Sequence, residues 1–368
     1  MPTIVEVVNE MNEAGVPEVV ARNSAAQFGT RDRSYLGATL MPERTVMVNM
    51  YREEAIRFRT VIAADGTRYS RVQRRGNDLF ASFEVELGNS DIGADMSAQQ
   101  YETLMRYLDS NQSDNAIRAA TRWMDVRVLR ALVENAERQR WEALLFGKVW
   151  RVGDDNYRDL VEYANPPFHR LSPAKAWTDP TTDIFEDIHT AVQTLIDKGY
   201  RPGRIITSRR IVNIMARNNT VKMRGGITVV NGGTIATASG RASLSDINAL
   251  LSDDGLPPIE TYDLQYRTQA GSFRFLPENA MLIVATVERD DDLDMGDANV
   301  EDLIPFELRG TQVGYHAIGK ATGQPTPGRV INLFAYTNKP PRVEAEGYMC
   351  HLPVVQFAEA MVSILGIQ

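Results

Sequence analysis

Apolar residues recur close to every 3.6 positions from Ser113 to Gly147, a stretch that no proline or internal glycine interrupts. Ile117, Met124, Val128, Leu132, Ala136, Ala143 and Phe146 form the stripe. Arg118, Arg122, Arg127, Arg130, Arg138 and Arg140, mixed with Asp125, Glu134 and Glu137, surround it. Ser113 or Asp114 is placed to cap the start, and Gly147 to give a left-handed exit. At 1.5 Å per residue this predicts one helix of about 48 Å. Helices average about 11 to 12 residues, so one small core cannot cover this one and it reads as a girder. A coiled coil is the rival reading, but Gln139 and Arg140 interrupt the apolar seam and no further clean heptads follow.

The pattern changes on both sides of the girder. Ile4, Val8 and Met11 mark a weak amphipathic helix, and a polar stretch to about residue 40 reads as an arm that orders against something else. From Arg44 the period becomes two: Ile56, Phe58, Thr60 and Ile62 alternate with polar residues, and Asp65-Gly66 supplies a tight reversal into a second strand. An isolated hairpin is marginal in water, so this ribbon should lie on a partner. Residues 149–165 predict another hairpin turning at Gly153-Asp154-Asp155, and Pro166, Pro167, Pro173 and Pro180 mark a connection. Helix and strand then alternate: a helix from about Thr181 to Lys198, a strand at 204–208, a helix from Arg209 to about Arg217, a glycine-rich loop at 224–241, a helix at 243–255, and strands at 259–266 and 280–287. Such alternation predicts a compact α/β unit. From about Pro305 strands return, at 312–321, 329–337 and within 340–366, and no internal repeat is visible.

Composition narrows the classes. With 368 residues the chain can hold two or three core-bearing units at roughly 100 to 200 residues each. It is 43% hydrophobic and 24% charged, and no apolar run approaches the roughly 20 residues of a membrane span. The acidic amphipathic start differs from a basic signal peptide and argues against export. One cysteine, Cys350, excludes an intramolecular disulfide framework, fits a reducing compartment and reads as a small buried residue. Only Lys148, Lys175, Lys198, Lys222, Lys320 and Lys339 are lysines, so arginine supplies 34 of the 40 basic residues. Its planar donor fork suits interfaces, although high genomic GC content gives the same bias. Charge is unevenly spread. Ten acids between Glu278 and Glu307 stand against Arg289 alone, a net −9, so the rest of the chain carries +1 of the total −8. The ribbon carries the opposite sign, since seven arginines against Glu53, Glu54 and Asp65 leave +4 between residues 52 and 75.

Little in the sequence looks like chemistry. Gly314 to Lys320, GYHAIGK, matches the first seven places of a phosphate-binding loop, but Ala321 stands where Ser or Thr would hold Mg²⁺, and two prolines and two glycines follow instead of a helix. A strand and turn is the plainer reading. Asp290, Asp292, Asp294 and Glu301 fall at the first three and the twelfth positions of a calcium loop, but Met295 takes the place of the turn glycine and strands flank the segment. The choices there are a looser cation site, or a solvated acidic loop or protein contact. His169, His189, His316 and His351 show no i,i+4 pairing, and Cys350 and His351 point to opposite faces of a strand. No nucleophile elbow or dinucleotide fingerprint is present, so no catalytic residue and no cofactor is assigned.

The order of parts, with YLGATLMPERTV opening the strands, RWMDVRVLRALVENAERQRWEALLFGKV as the helix, and TDIFEDIHTAVQTLIDKGYRPGRIITSRRIVNIMARNNTVKMRG and FRFLPENAMLIV later, resembles the lambda-type major capsid proteins of tailed phages. The likeness runs from about Ser34 to the end. It implies an α+β Hong Kong 97 fold: an N-terminal arm (1–43), an extended β-hairpin loop and its strands (44–92, the loop from Arg52 to about Leu87), a peripheral domain (93–178) with a spine helix from Asp114 to Phe146, an axial domain (179–287), and a return to peripheral strands (288–368). It further implies a non-enzymatic subunit of an icosahedral shell, assembled in the host cytoplasm as hexamers and pentamers and resident in the virion. Scaffold, portal and decoration proteins and packaged double-stranded DNA, held non-specifically, would be its partners, with no membrane. Some relatives crosslink subunits by an isopeptide bond, but no lysine lies within residues 52–87. Residues 1–40 are too short for a self-cleaved scaffolding domain, so none is expected. A compartment shell enclosing enzymes shares the fold and is the alternative; an enzyme using residues 314–320 or the acid cluster is the remaining one. In this family the extended loop crosses a neighbouring subunit, so Arg68, Arg71, Arg74 and Arg75 are expected at an inter-subunit contact, against an acidic segment.

Overall fold

The computed structural model describes residues 4–22, 35–47, 50–56, 79–110, 112–152, 158–163, 169–224, 228–231, 234–237, 242–268, 270–286, 311–321, 323–337 and 341–368. Helices α1 (Ile4–Glu13) and α2 (Val16–Arg22) bury Ile4, Val7, Val8, Met11 and Val20 in the same core as the girder. The Asn12 amide also donates to the Leu333 carbonyl at 3.0 Å. Residues 4–22, assigned by sequence to an arm, are therefore docked on their own chain.

After α3 (Leu36–Leu40) come β1 (Glu43–Thr45), β2 (Met50–Ile56), β3 (Leu79–Glu86), β4 (Gly88–Asp95) and α4 (Ala98–Asp109), which starts on a capping box of Ser97 and Gln100. The girder is α5, residues 113–146. It is α-helical over Ser113–Met124 and Arg130–Phe146, with one π turn at Asp125–Leu129 and right-handed helical angles through both junctions. Gly147 leaves it left-handed at φ 59° as expected. The start differs, because Gln112 holds the cap position; its side chain accepts from Asn115 Nδ2 at 2.9 Å and caps no backbone N–H. The π turn has a geometric reason. Buried Met124, Val128, Leu132 and Ala136 step by four, each step overshooting a turn of about 3.6 residues, and one wider turn closing i to i+5 absorbs the drift.

β5 (Lys148–Val152) and β6 (Arg158–Glu162) pair as the expected hairpin, followed by β7 (Arg170–Leu171). The alternating unit then holds α6 (Ile184–Ile196), β8 (Arg201–Thr207), α7 (Arg209–Arg217), α8 (Asn219–Arg224), β9 (Thr228–Asn231), β10 (Thr234–Thr237), α9 (Leu244–Asp253), β11 (Ile259–Thr261), β12 (Gln265–Thr268), β13 (Gly271–Arg274) and β14 (Ala280–Thr286). Asp183, Ser208 and Ser243 cap α6, α7 and α9 through their side chains, and α6 begins at Ile184 rather than at about Thr181. The glycine-rich stretch, expected to be a loop, contains the antiparallel pair β9–β10. The chain closes with β15 (Gly314–Ile318), β16 (Arg329–Tyr336), β17 (Arg342–Val355) and β18 (Met361–Leu365).

Two five-stranded sheets result, and α5 packs on both. In the first, β17 pairs antiparallel with β15, β16 and β4, and β1 runs parallel to β15. The second has the order β11-β8-β14-β18-β7. Although the sequence grouped 288–368 together, β18 joins this second sheet, because Met361–Leu365 pair with β14. Strand β14 is buried on both faces: Ala280, Leu282 and Val284 belong to the core shared with Leu144 and Leu145 of α5, while Met281 and Ile283 belong to the core under α6, α7 and α9. One strand thus joins the alternating unit to the girder through two hydrophobic cores.

Candidate functional site

The polar residues of α5 do not all face water. Glu137 and Arg140, placed by sequence on the polar surround, are fully buried, as is most of Gln139. Burying charge is costly unless partners offset it; here both charges are paired, while Arg140 Nε and Gln139 Oε1 are buried without a partner among the described residues. Glu137 accepts from the Gly37 N–H at 2.8 Å, Trp141 Nε1 at 2.8 Å and Tyr262 OH at 2.9 Å, and pairs with Arg140 at 3.3 Å. Glycine at 37 permits this close approach: a Cβ there would stand 2.8 Å from the Glu137 carboxylate, which would have to shift. The Trp141 ring stacks on Tyr262 at 4.9 Å, and burial first, then the Glu137 charge, pushes the Tyr262 phenol far above its ordinary pKa. Arg140 also reaches Glu43 of β1 at 3.2 Å, and Arg329 of β16 binds the same Glu43 oxygen.

A second polar chain adjoins this cluster. Asn135 of α5 donates to Ser90 Oγ at 2.8 Å, Ser90 meets His351 Nε2 at 2.7 Å, and His351 Nδ1 meets His316 Nε2 at 2.8 Å. Both histidines are buried. Burial, then neighbouring arginines, holds His351 down to about 3 and His316 well below the usual imidazole range. The two clusters tie α5 to β1, β4, β15, β16 and β17, so they set how the girder lies on the first sheet. Sequence reading dismissed these histidines for lack of pairing along the chain. A signal was present: His351 is in phase with Val343, Ala345, Gly347 and Met349, the inward-facing parity of β17, and His316 is in phase with Ile318, which clusters with Leu132 and Ala136 of α5. Glu43 and Arg329 carried no such signal.

Other sequence candidates resolve differently. Gly314–Ile318 is a buried strand, and Gly314 serves close strand packing, since a Cβ there would stand 2.1 Å from the Val354 carbonyl oxygen. Cys350 is free and buried, its thiol pKa raised by burial. Asp290, Asp292, Asp294 and Glu301 lie outside the described residues, as do Arg68, Arg71, Arg74 and Arg75. The roots of their ribbon are described: Met50 pairs with Glu86 and Ile56 with Leu79, and among the described residues β2–β3 joins no other strand. Because β1 and β4 both belong to the first sheet, the ribbon springs from that sheet. Among the described residues no three His, Cys, Asp or Glu side chains are grouped to hold a metal ion, and no helix is long and apolar enough to cross a membrane.

No protein-family model and no curated protein matches the chain. Among solved structures, a phage-related protein from Bordetella bronchiseptica RB50 superposes at TM-score 0.52 and 13% identity, over 95% of this chain and 96% of that one. A candidate capsid protein of a prophage of Escherichia coli CFT073 superposes at 0.51 and 13%, over 93% and 98%. The chain shares their fold. The likeness spans nearly the full length of all three proteins.

Proposed function

We propose that this protein is the major capsid subunit of a tailed double-stranded DNA phage, a structural protein whose copies build an icosahedral head. The observation that carries the reading is the shared fold over nearly the whole chain, with a candidate prophage capsid protein among the similar structures. The order of parts agrees with it. In this reading α5 is the spine helix of the peripheral domain, residues 52–87 are the extended loop, 179–287 form the axial domain, and β18 returns the chain to that domain. Hexamers and pentamers are the assembly units, and scaffold, portal and decoration proteins and packaged DNA are partners met during assembly in the host cytoplasm. DNA is held loosely, because packaged DNA must leave, and a net charge of −8 suits weak, salt-sensitive binding.

The basic loop against the acidic window between Glu278 and Glu307 supplies the contact between copies. Each exposed ion pair is worth only about 0 to 1 kcal/mol, yet repetition over a shell multiplies it. Expression of the full chain should give shells or capsomers in negative-stain micrographs. Arg74→Glu with Arg75→Glu should leave the subunit folded by circular dichroism and abolish those particles, and lysine at Asp290, Asp292 and Asp294 should restore them. Particles formed normally by the double arginine variant at low salt would refute the loop contact, and a wild-type chain that stays monomeric under all conditions would refute the capsid reading itself.

A further inference from the structure

The His316–His351 pair sits where α5 meets the first sheet, and it belongs to neither the surfaces nor the partners proposed above. We propose that it is an acid-sensitive latch, which holds α5 on that sheet while both rings are neutral and releases it when they take up protons.

The geometry sets the proton count. A hydrogen bond between two ring nitrogens holds one proton, so across the 2.8 Å contact one ring donates and the other accepts. With both rings neutral, the chain Asn135, Ser90, His351, His316 can make all three of its bonds. Its far end, His316 Nδ1, is buried without a partner among the described residues. A first added proton fits best on His351, where Nε2 could donate to Ser90. A second sets N–H against N–H across the pair. The surroundings oppose even the first. Arg138 and Arg140 face the pair from α5, Arg151 from β5 and Arg329 from β16. The nearby acids are already engaged: Glu137 by Arg140, Glu43 by Arg140 and Arg329, and Asp159 by Arg151. The Cys350 thiol, which feels Arg151 and Glu86, points to the face of β17 opposite His351, and Glu86 is exposed. Among the described residues no unengaged acid is left beside the pair to meet an imidazolium.

The sign follows from proton binding. A histidine whose folded pKa lies below the ordinary value of about 6.5 binds fewer protons closed than open. The closed state is therefore at full strength above about pH 6.5 and weakens as the pH falls toward the folded values, by up to about tenfold per pH unit for each ring. The pair joins β15 to β17 and reaches α5 through Ser90 and Asn135, so opening it removes one of the fastenings between α5 and the first sheet and weakens the seam that the Glu137–Arg140 cluster and the packing still hold.

The test uses the full chain and is independent of assembly. Hydrogen exchange read by mass spectrometry, corrected for the intrinsic pH dependence of the rate, should show peptides covering 130–146 and 342–355 losing protection together between pH 6.5 and 4.5. In His316→Phe/His351→Phe that pH dependence should flatten by about tenfold or more per unit, while the contribution of His169, buried elsewhere, remains. Should the double variant not fold, exchange of the imidazole C2 hydrogens in the wild-type chain reads the same quantity directly. Midpoints near 6.5 for both His316 and His351, or an equally steep pH dependence in the variant, would overturn the latch.

Discussion

Gly347 offers a sharp test of how α5 lies on the first sheet. It sits inside β17, and a Cβ built there would stand 2.2 Å from Val128 Cγ1 and 3.3 Å from Leu132 Cδ1. The first distance is far inside contact. Val128 cannot swing away, because a β-branched side chain in a helix has essentially one χ1 well, and it is fully buried in the π turn. Gly347→Ala must therefore move the helix or the strand, at a cost of about 1 to 3 kcal/mol for overpacking, or a melting shift of about 1 to 4 °C in a chain of this size. Val128→Ala removes the clashing methyl but leaves a void, costing about 2 kcal/mol on its own. In the double variant the new methyl fills part of that void, so the two costs should fall short of additivity by about 1 kcal/mol or more. Urea unfolding of the wild type, both single variants and the double variant measures the coupling. An unchanged Gly347→Ala, or strictly additive costs, would show that α5 does not press on β17 at this point.

Two further substitutions probe the same contact. Leu132 is 2% exposed and packs on Ala136, Ile318 and Met349, so Leu132→Ala should cost about 2 to 5 kcal/mol and lower the melting point; an unchanged melting point would mean that the stripe is not buried. Glu137→Leu removes an acceptor used by Gly37, Trp141 and Tyr262 and takes one acid from Arg140, so it should cost about 3 to 5 kcal/mol; a loss under about 1 kcal/mol in urea would contradict the role given to this cluster.

What could be read along the chain was local. Asp183, Ser208 and Ser243 cap three helices by their own side chains and Gly147 ends the longest, so these elements are marked locally and stand within a few residues of where the sequence put them. The misses are of another kind. Glu137 and Arg140 look like solvent-facing charges because their types outweighed their phase, and the partners that permit burial, Gly37, Glu43 and Tyr262, come from 97 to 125 positions away. Arg329 meets Glu43 across a separation of 286 residues. Strand β18 lies beside β14 for a similar reason: a chain can return to any exposed strand edge, and Met361–Leu365 carry no mark of which one. The pairs β9–β10 and β12–β13 are four residues a side, too short for alternation to separate strand from loop.

The division between centre and margin explains why such a fold suits assembly. Four of the six sheets among the described residues have only two strands, and an isolated two-stranded pair is marginal in water. Two of these pairs carry large apolar side chains into solvent: Trp150 and Leu160 stand directly opposite each other on β5–β6, and Phe273 is exposed on β13. The centre differs in kind, since β14 is shared by two cores and the girder is fastened to the first sheet by paired charges as well as by packing. Stability is concentrated where the sheets meet the helix, and the outlying pairs gain more from a neighbour than they contribute alone. A perturbation at Gly347, Leu132 or Glu137 should therefore lower the stability of the isolated subunit, whereas a change at Trp150 or Leu160 should leave it folded and alter what it associates with.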